Sequence, residues 1–289
     1  MAILLDFSPT IISAVSVGDK TLGDDLNESA IRHLTLNMIL SYKKKFGDKY
    51  GKFIICCDES NAWRKDLFPY YKYSRKKSRE ESHLDWDMIF KSISNIQQEL
   101  RDYMPYHVIS VPRCEADDVI AILSNYITEN EPVGEGMFEE NQDVLIISRD
   151  KDFKQLQSNR NIVQWNPMEK KWMREPDPKR FLIEHIVRGD AGDGVPNMLS
   201  DHDSFVLKKR QKPVRESLIE SVYNNGVPDE HLENYERNKK LIDLSCIPTN
   251  YKDEIITTYI NYKPKPKAKL LTYFMNKGLR NLYNSASDF

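Results

Sequence analysis

The sequence predicts an α/β fold: a mostly parallel central sheet flanked by helices, followed by a smaller helical C-terminal lobe. Three observations carry this. Short aliphatic runs recur, each leading into an acidic residue; segments of helical period lie between them; and strand-like runs fade from about residue 175. The runs are Ala2 to Leu5 before Asp6, Phe53 to Cys57 before Asp58, and Asp143 to Ile147 before Ser148, Arg149 and Asp150. Continuous aliphatic runs bounded by polar residues suit strands buried on both faces. Tyr106 to Val111 is a candidate fourth strand.

Between the runs, Ile31, Leu34, Met38 and Tyr42 recur at helical spacing, as do Ile89, Ile93, Ile96 and Leu100, and then Val119, Ile122, Leu123 and Tyr126. Alternating strands and helices build a parallel sheet, in which residues at the carboxyl ends of the strands share one edge. Asp6, Asp58 and Asp150 are therefore expected to converge. Glu129 to Gln142 is acidic and aperiodic, with Pro132, Gly134 and Gly136, and reads as a surface loop. The division expected is residues 1–175 as the α/β core and 176–289 as the helical lobe, whose helices read as Phe181 to Arg188, Glu216 to Tyr223 and Lys269 to Tyr283.

Composition narrows the class. The 289 residues carry 42 basic and 44 acidic side chains, a net charge of −2, so distribution matters more than the sum. No apolar stretch approaches the roughly 20 residues of a membrane helix. The four cysteines lack CxxC spacing and no signal peptide is read, so a reducing, cytoplasmic setting and a monomer are expected.

More acids join the three strand-end aspartates. Glu115, Asp117 and Asp118 open an apparent helix, Asp150 and Asp152 straddle a strand end, and Asp190 and Asp193 lie in a glycine-rich turn. Helix capping and Asx turns explain each group singly. Together, like charges at such density oppose one another's ionisation unless a cation neutralises them. Oxygen-only ligands suit Mg²⁺, with Mn²⁺ as a substitute, and the six histidines show no HxH or HExxH spacing. Two such ions would serve phosphodiester hydrolysis.

After Asp58, the stretch Trp63 to Arg79 sets seven basic residues among five aromatics. Cations neutralise phosphates and rings stack on bases, so Arg64, Lys65, Tyr71, Lys72, Arg75, Lys76, Lys77 and Arg79 are candidate nucleic-acid contacts; a solvated helix face is the plainer alternative. Lys208, Lys209, Arg210, Lys212 and Arg215 form a second basic cluster suited to duplex backbone, with an ordinary charged loop as the plainer alternative. Lys263, Lys265, Lys267 and Lys269, interleaved with Pro264 and Pro266, read as an extended linker.

In their order and spacing, Leu5-Asp6-Phe7-Ser8, the Asp58 to Arg79 segment, Glu115-Ala116-Asp117-Asp118, Ser148 to Phe153, Gln155-Leu156 and Gly189-Asp190 with Asp193 resemble the flap endonuclease and 5′-3′ exonuclease family over essentially the whole chain. The resemblance implies a PIN-like nuclease core. It further implies a Mg²⁺-dependent enzyme with ribonuclease H activity that removes RNA primers and 5′ flaps during replication, selecting by structure. It makes Asp6, Asp58, Glu115, Asp117, Asp118, Asp150, Asp152, Asp190 and Asp193 metal-binding, directly or through water. It makes the basic segment near 62–84 an arch, with Tyr71 contacting a base and Lys72 and Arg75 acting at the scissile phosphate. Substrates implied are branched or flap DNA and RNA–DNA hybrid, in the replication machinery of a phage-infected bacterial host, where single-stranded-DNA-binding protein and sliding clamp are candidate partners. One departure is the absence, after Asp193, of the glycine-patterned hairpin of many members, which leaves duplex grip to the Lys208 cluster. Two other readings compete: a catalytically idle structure-selective nucleic-acid binder, and a small-phosphate phosphatase or receiver-like domain, which would have little use for Arg64 to Arg79.

Overall fold

The computed structural model describes residues 1–131 and 142–289, apart from the side chains of residues 76–78. Most of the expected loop from Glu129 to Gln142, and the contacts expected of Lys76 and Lys77, lie outside the described residues; Glu129 itself still belongs to a helix.

Six strands form one sheet in the order β3-β2-β1-β4-β5-β6. They are β1 (Ala2–Asp6), β2 (Lys52–Cys56), β3 (His107–Ile109), β4 (Val144–Ile147), β5 (Ile162–Asn166) and β6 (Lys171–Met173). All neighbours pair in parallel except β5 and β6. The aliphatic runs thus form the sheet as expected, while β5 and the antiparallel β6 were not anticipated.

Alternate residues of each strand enter opposite layers, as the pleat dictates. Ile3, Leu5, Phe53, Ile55, Leu145 and Ile147 pack into one core, and Leu4, Ile54, Cys56, Val144 and Ile146 into the other. The first core is covered by α1 (Phe7–Leu22), α2 (Glu28–Tyr50) and α5 (Trp86–Tyr103), and the second by α6 (Ala116–Asn130). Each aliphatic side chain buried this way contributes roughly 1.5–3 kcal/mol. The helix α1 was not anticipated; it begins directly where β1 ends at Asp6.

Between β2 and α5 run the short helices α3 (Arg64–Leu67) and α4 (Ser74–Glu80). After β6 come α7 (Pro178–Arg188), α8 (Glu216–Asn225), α9 (Leu232–Ile242), α10 (Thr249–Asn261), α11 (Lys267–Asn276) and α12 (Arg280–Tyr283). The helical segment does not pack as one body. Ile186 and Val195 meet Phe68 and Tyr71 in a small cluster with Leu241 and Ile242. Ile255 and Tyr259 of α10 join the α6 layer, and Leu270, Tyr273 and Phe274 of α11 join the α2 and α5 layer. The expected linker is only partly extended, since Lys267 and Lys269 already belong to α11, which is parted from α12 by Gly278 at φ 66°.

Candidate active site

The parallel register brings the strand-end acids to one edge. Asp6 ends β1 directly opposite Cys56 of β2, which places Asp58 two residues beyond, and Leu5 pairs with Ile147 of β4, three residues before Asp150. Local hydrogen bonds fix each carboxylate. Asp6 Oδ2 accepts from Ser148 Oγ at 2.7 Å. Asp58 accepts from Ser8 Oγ and, at 2.8 Å, from the Ala116 amide at the start of α6. Asp150 accepts from the Asp152 amide at 2.9 Å, capping the 3₁₀ helix Lys151–Ser158. Gln164 of β5 donates to the carbonyl oxygens of Ser148 and Asp150 at 3.1 and 2.6 Å and so pins the strand-to-helix turn.

The turn that bears Asp190 and Asp193 reaches this edge because α7 packs on that 3₁₀ helix. Asp190 and Val195 form an antiparallel bridge behind Gly189. Gly189 has φ 68°, and a Cβ there would lie 2.4 Å from the Val195 carbonyl oxygen, so only glycine fits. The turn is tied to the segment between α3 and α4: the Lys72 amide donates to the Asp193 carbonyl at 2.7 Å. Gln155 completes the junction, donating to the Ile242 carbonyl at 3.1 Å and accepting from the Leu244 amide at 2.8 Å.

Charge divides the acids into two kinds. Burial, then the Asp58 carboxylate, raises the Asp6 carboxyl well above the usual range. Burial with Asp150 and Asp6 does the same to Asp117, and burial with Asp152 pushes Asp150 up to about 6. These three carry too little positive charge around them. Glu115 is the opposite: burial opposes its ionisation, yet Lys72 and Arg64 hold it below the usual carboxylate range. Lys72 Nζ lies 2.5 Å from Glu115 and 3.6 Å from Asp193, and Arg75 lies 2.6 Å from Asp193. Asp190 is likewise held low against burial by His185, at 3.4 Å, and Lys151, at 3.2 Å. His185, despite its burial, is pushed up to about 9 by Asp152 and Asp190.

The residue set fits divalent ions. Asp6, Asp117 and Asp150 are mutually repelling carboxylates without a cation of their own, next to Asp58; Asp152, Asp190 and Asp193 crowd the adjoining turn. Oxygen donors of this kind suit hard cations.

Three sequence-based expectations are corrected. Asp118 is 0% exposed, accepts from Trp63 Nε1 at 3.0 Å and the Glu115 amide at 2.9 Å, and pairs with Arg64 at 2.8 Å, so it braces α6 and faces away from the acid cluster. Arg64, 2% exposed, pairs with Glu115 and Asp118 and donates to the Leu241 carbonyl at 3.0 Å; a buried guanidinium so engaged is not a surface contact for nucleic acid. Tyr71 is 4% exposed and donates its hydroxyl toward Glu115 and Asp193, each at 2.9 Å, so its ring is not available to stack on a base. Lys65, Arg75, Lys208, Lys209 and Arg210 are exposed, although Lys209 pairs with Asp203 at 3.0 Å, and Arg79 lies over the Phe90 ring at 5.1 Å.

The description "5′-3′ exonuclease, N-terminal resolvase-like domain" matches residues 19–184, and "T4 RNase H, C terminal" matches residues 178–289. The chain belongs to the 5′-3′ exonuclease family. This 5′ nuclease is 34% identical to the ribonuclease H of Enterobacteria phage T4, over 99% of its own length and 95% of the relative's. Flap endonuclease Xni of Shewanella sp. (strain MR-4) is 30% identical over 47% of the chain and 48% of that protein. Among solved structures, bacteriophage T5 5′-exonuclease with bound zinc aligns with a TM-score of 0.60 at 13% identity, covering 91% of this chain and 99% of that one. A T5 flap endonuclease complex with DNA and metal ions aligns at 0.58 and 14% identity, covering 89% and 93%. The likeness to the T5 structures establishes the PIN-like fold of the 5′-3′ exonuclease.

Sequence reasoning missed four members of this exonuclease's site: Ser8, Ser148, Gln164 and His185. Ser8 and Ser148 sit beside the strand-end acids, a position that signals carboxylate orientation. Gln164 is a fully buried amide within a strand, a signal visible only once the strand is placed. His185 carries no local motif.

Proposed function

We propose that this chain is a Mg²⁺-dependent two-metal nuclease that removes 5′ flaps and RNA primers from branched DNA and RNA–DNA hybrids. The observation that carries the reading is the cluster of raised carboxylates, Asp6, Asp117 and Asp150, standing beside cations that are borrowed from the arch. Asp6, Asp58, Asp117 and Asp150 would hold one ion, and Asp152, Asp190 and Asp193 the second. Bound ions would activate the attacking water and offset charge on the leaving oxygen.

The chain's own residues do the rest. Lys72 and Arg75 rest on Glu115 and Asp193, within reach of the same edge. Transferred from carboxylate to phosphate, these two cations would neutralise the scissile group and orient it. Tyr71 and Arg64 position Glu115 and so set where Lys72 returns. Lys208 and Arg210, exposed, suit duplex backbone, so residues 1–175 would supply most of the cleavage site, completed by the Asp190 turn of the segment that follows, and that segment would also grip the duplex. The likeness to a ribonuclease H of phage T4 supports a role in phage replication; a cytoplasmic setting in the bacterial host, beside a single-stranded-DNA-binding protein and a sliding clamp, would follow from that role.

The test is cleavage of a 5′-labelled flap and an RNA–DNA hybrid with Mg²⁺, with and without chelator, by the native chain and Asp150→Asn. Short 5′ products that vanish with chelator and with the variant, while DNA affinity persists, are expected. Absence of product with Mg²⁺ and Mn²⁺ alike would leave the idle-binder reading standing.

A further inference from the structure

His185 is the one histidine at the carboxylate edge among the described residues, and its contacts are unusual. It projects from the last turn of α7, is 6% exposed, and brings Nε2 to 2.9 Å from Asp152 Oδ1 and 3.4 Å from Asp190 Oδ2. The 2.9 Å approach lacks the angles of a hydrogen bond. His185 Nε2 and Asp152 Oδ1 are both buried and both left without a directional partner. Buried polar atoms normally have one, so such a pair is unusual in a folded interior.

The three donor atoms lie within 4.8 Å of one another. Neighbouring ligands around an ion with bonds of about 2.1 Å stand about 3 Å apart, which is close to the 2.9 and 3.4 Å that part His185 Nε2 from the two carboxylates. A divalent cation placed among them, taking the place of the His185 Nε2 proton, which is released to solvent, would satisfy both atoms at once. The donor set is mixed, one imidazole nitrogen with two carboxylate oxygens. Mg²⁺ keeps to oxygen and dehydrates reluctantly, whereas the affinity of nitrogen-bearing sites rises along the first-row divalent series, of which Mn²⁺ is the first member and the one closest to Mg²⁺ in its taste for carboxylate.

We propose that His185, Asp152 and Asp190 form one nitrogen-bearing cation position, so that one of this nuclease's two metal positions selects Mn²⁺ over Mg²⁺. The proposal rests on the metal-dependent reading above and adds a specificity determinant to it. Lys151, which lies 3.2 Å from Asp190 Oδ2 and is itself half exposed, would be displaced outward when the position fills.

The experiment uses the full chain stripped with EDTA and loaded with one and then two equivalents of Mn²⁺. Pulsed EPR reads nitrogen directly bound to manganese, and calorimetry reads the Mn²⁺ and Mg²⁺ affinities of the native chain and His185→Gln. Expected are a directly coupled ¹⁴N in the native chain, its loss in the variant, and a fall of about tenfold or more in the Mn²⁺-to-Mg²⁺ affinity ratio. Bound manganese without nitrogen coupling at either loading overturns the proposal and leaves His185 as a fixed cation between two carboxylates. The native-chain spectrum needs no variant, so a His185→Gln protein that fails to fold does not rescue the idea. Failure to bind Mn²⁺ at all overturns both this proposal and the metal-dependent reading, which keeps the two failures distinct.

Discussion

Replacing Asp150 with Asn should make the metal-free protein more stable while abolishing cleavage. Burial and the neighbouring Asp152 push the Asp150 carboxyl from an ordinary 3.8 up to about 6. The folded pKa therefore lies above the unfolded one, and the native state binds more protons across that interval. Stability is lost as pH rises from about 4 to 6 and stays lost above it, because the folded chain must then carry an unwelcome charge. A difference of about two pK units corresponds to about 3 kcal/mol at pH 7.5. Asparagine removes that charge, and its amide oxygen still accepts from the Asp152 amide, so the cap is kept. Urea unfolding in EDTA at pH 7.5 should show the variant more stable by about 1–3 kcal/mol, with the gain falling below about 1 kcal/mol near pH 4. Added Mg²⁺ should stabilise the native chain more than the variant. A variant less stable than the native chain in EDTA at pH 7.5, or a gain that persists undiminished at pH 4, refutes the electrostatic account.

Three further outcomes are expected. Arg64→Met should cost about 3–5 kcal/mol in urea unfolding, because Asp118 is left as a buried, uncompensated charge; a near-neutral change would mean that this pair does not brace α6. Gly189→Ala should destabilise by more than about 1 kcal/mol, since the Val195 carbonyl occupies the space of the added methyl and the residue has positive φ. Lys208→Ala and Arg210→Ala should each reduce the slope of log affinity against log salt for branched DNA by about 1, with cleavage of saturated substrate retained; an unchanged slope would place the duplex elsewhere.

The central strands were legible because burial on both faces demands uninterrupted aliphatic runs. Strand β5 was hidden by its own function: Gln164 interrupts the run because its amide must bond the Ser148 and Asp150 carbonyls. Strand β6 is an edge of three residues with Trp172 exposed, too short and too polar to stand out. At the site, clustering of acids was readable, but which way each side chain points was not. Asp117 and Asp118 are adjacent in sequence and diverge by about 100° around the helix, sending one to the cluster and the other into the packed interior. Arg64 and Tyr71 lie within a basic and aromatic stretch whose composition does not separate a buried brace from a solvent-facing contact. The convergence of the Asp190 turn depended on α7 packing on the 3₁₀ helix after Asp150, a long-range contact that no local pattern announces.

The hydrogen bond from the Lys72 amide to the Asp193 carbonyl joins positions far apart in sequence, and it holds Lys72 at φ 56°, a left-handed conformation that costs roughly 1–2 kcal/mol for a residue with a side chain. Arg75 and Tyr71 reinforce the same link through the Asp193 carboxylate. A strand of nucleic acid drawing these cations away would thus pull on the turn that carries two acids. Under the proposed function, seating of substrate and adjustment of the Asp190 turn would become a single mechanical event, and an ill-fitting end that fails to engage Lys72 and Arg75 would leave the turn where it was.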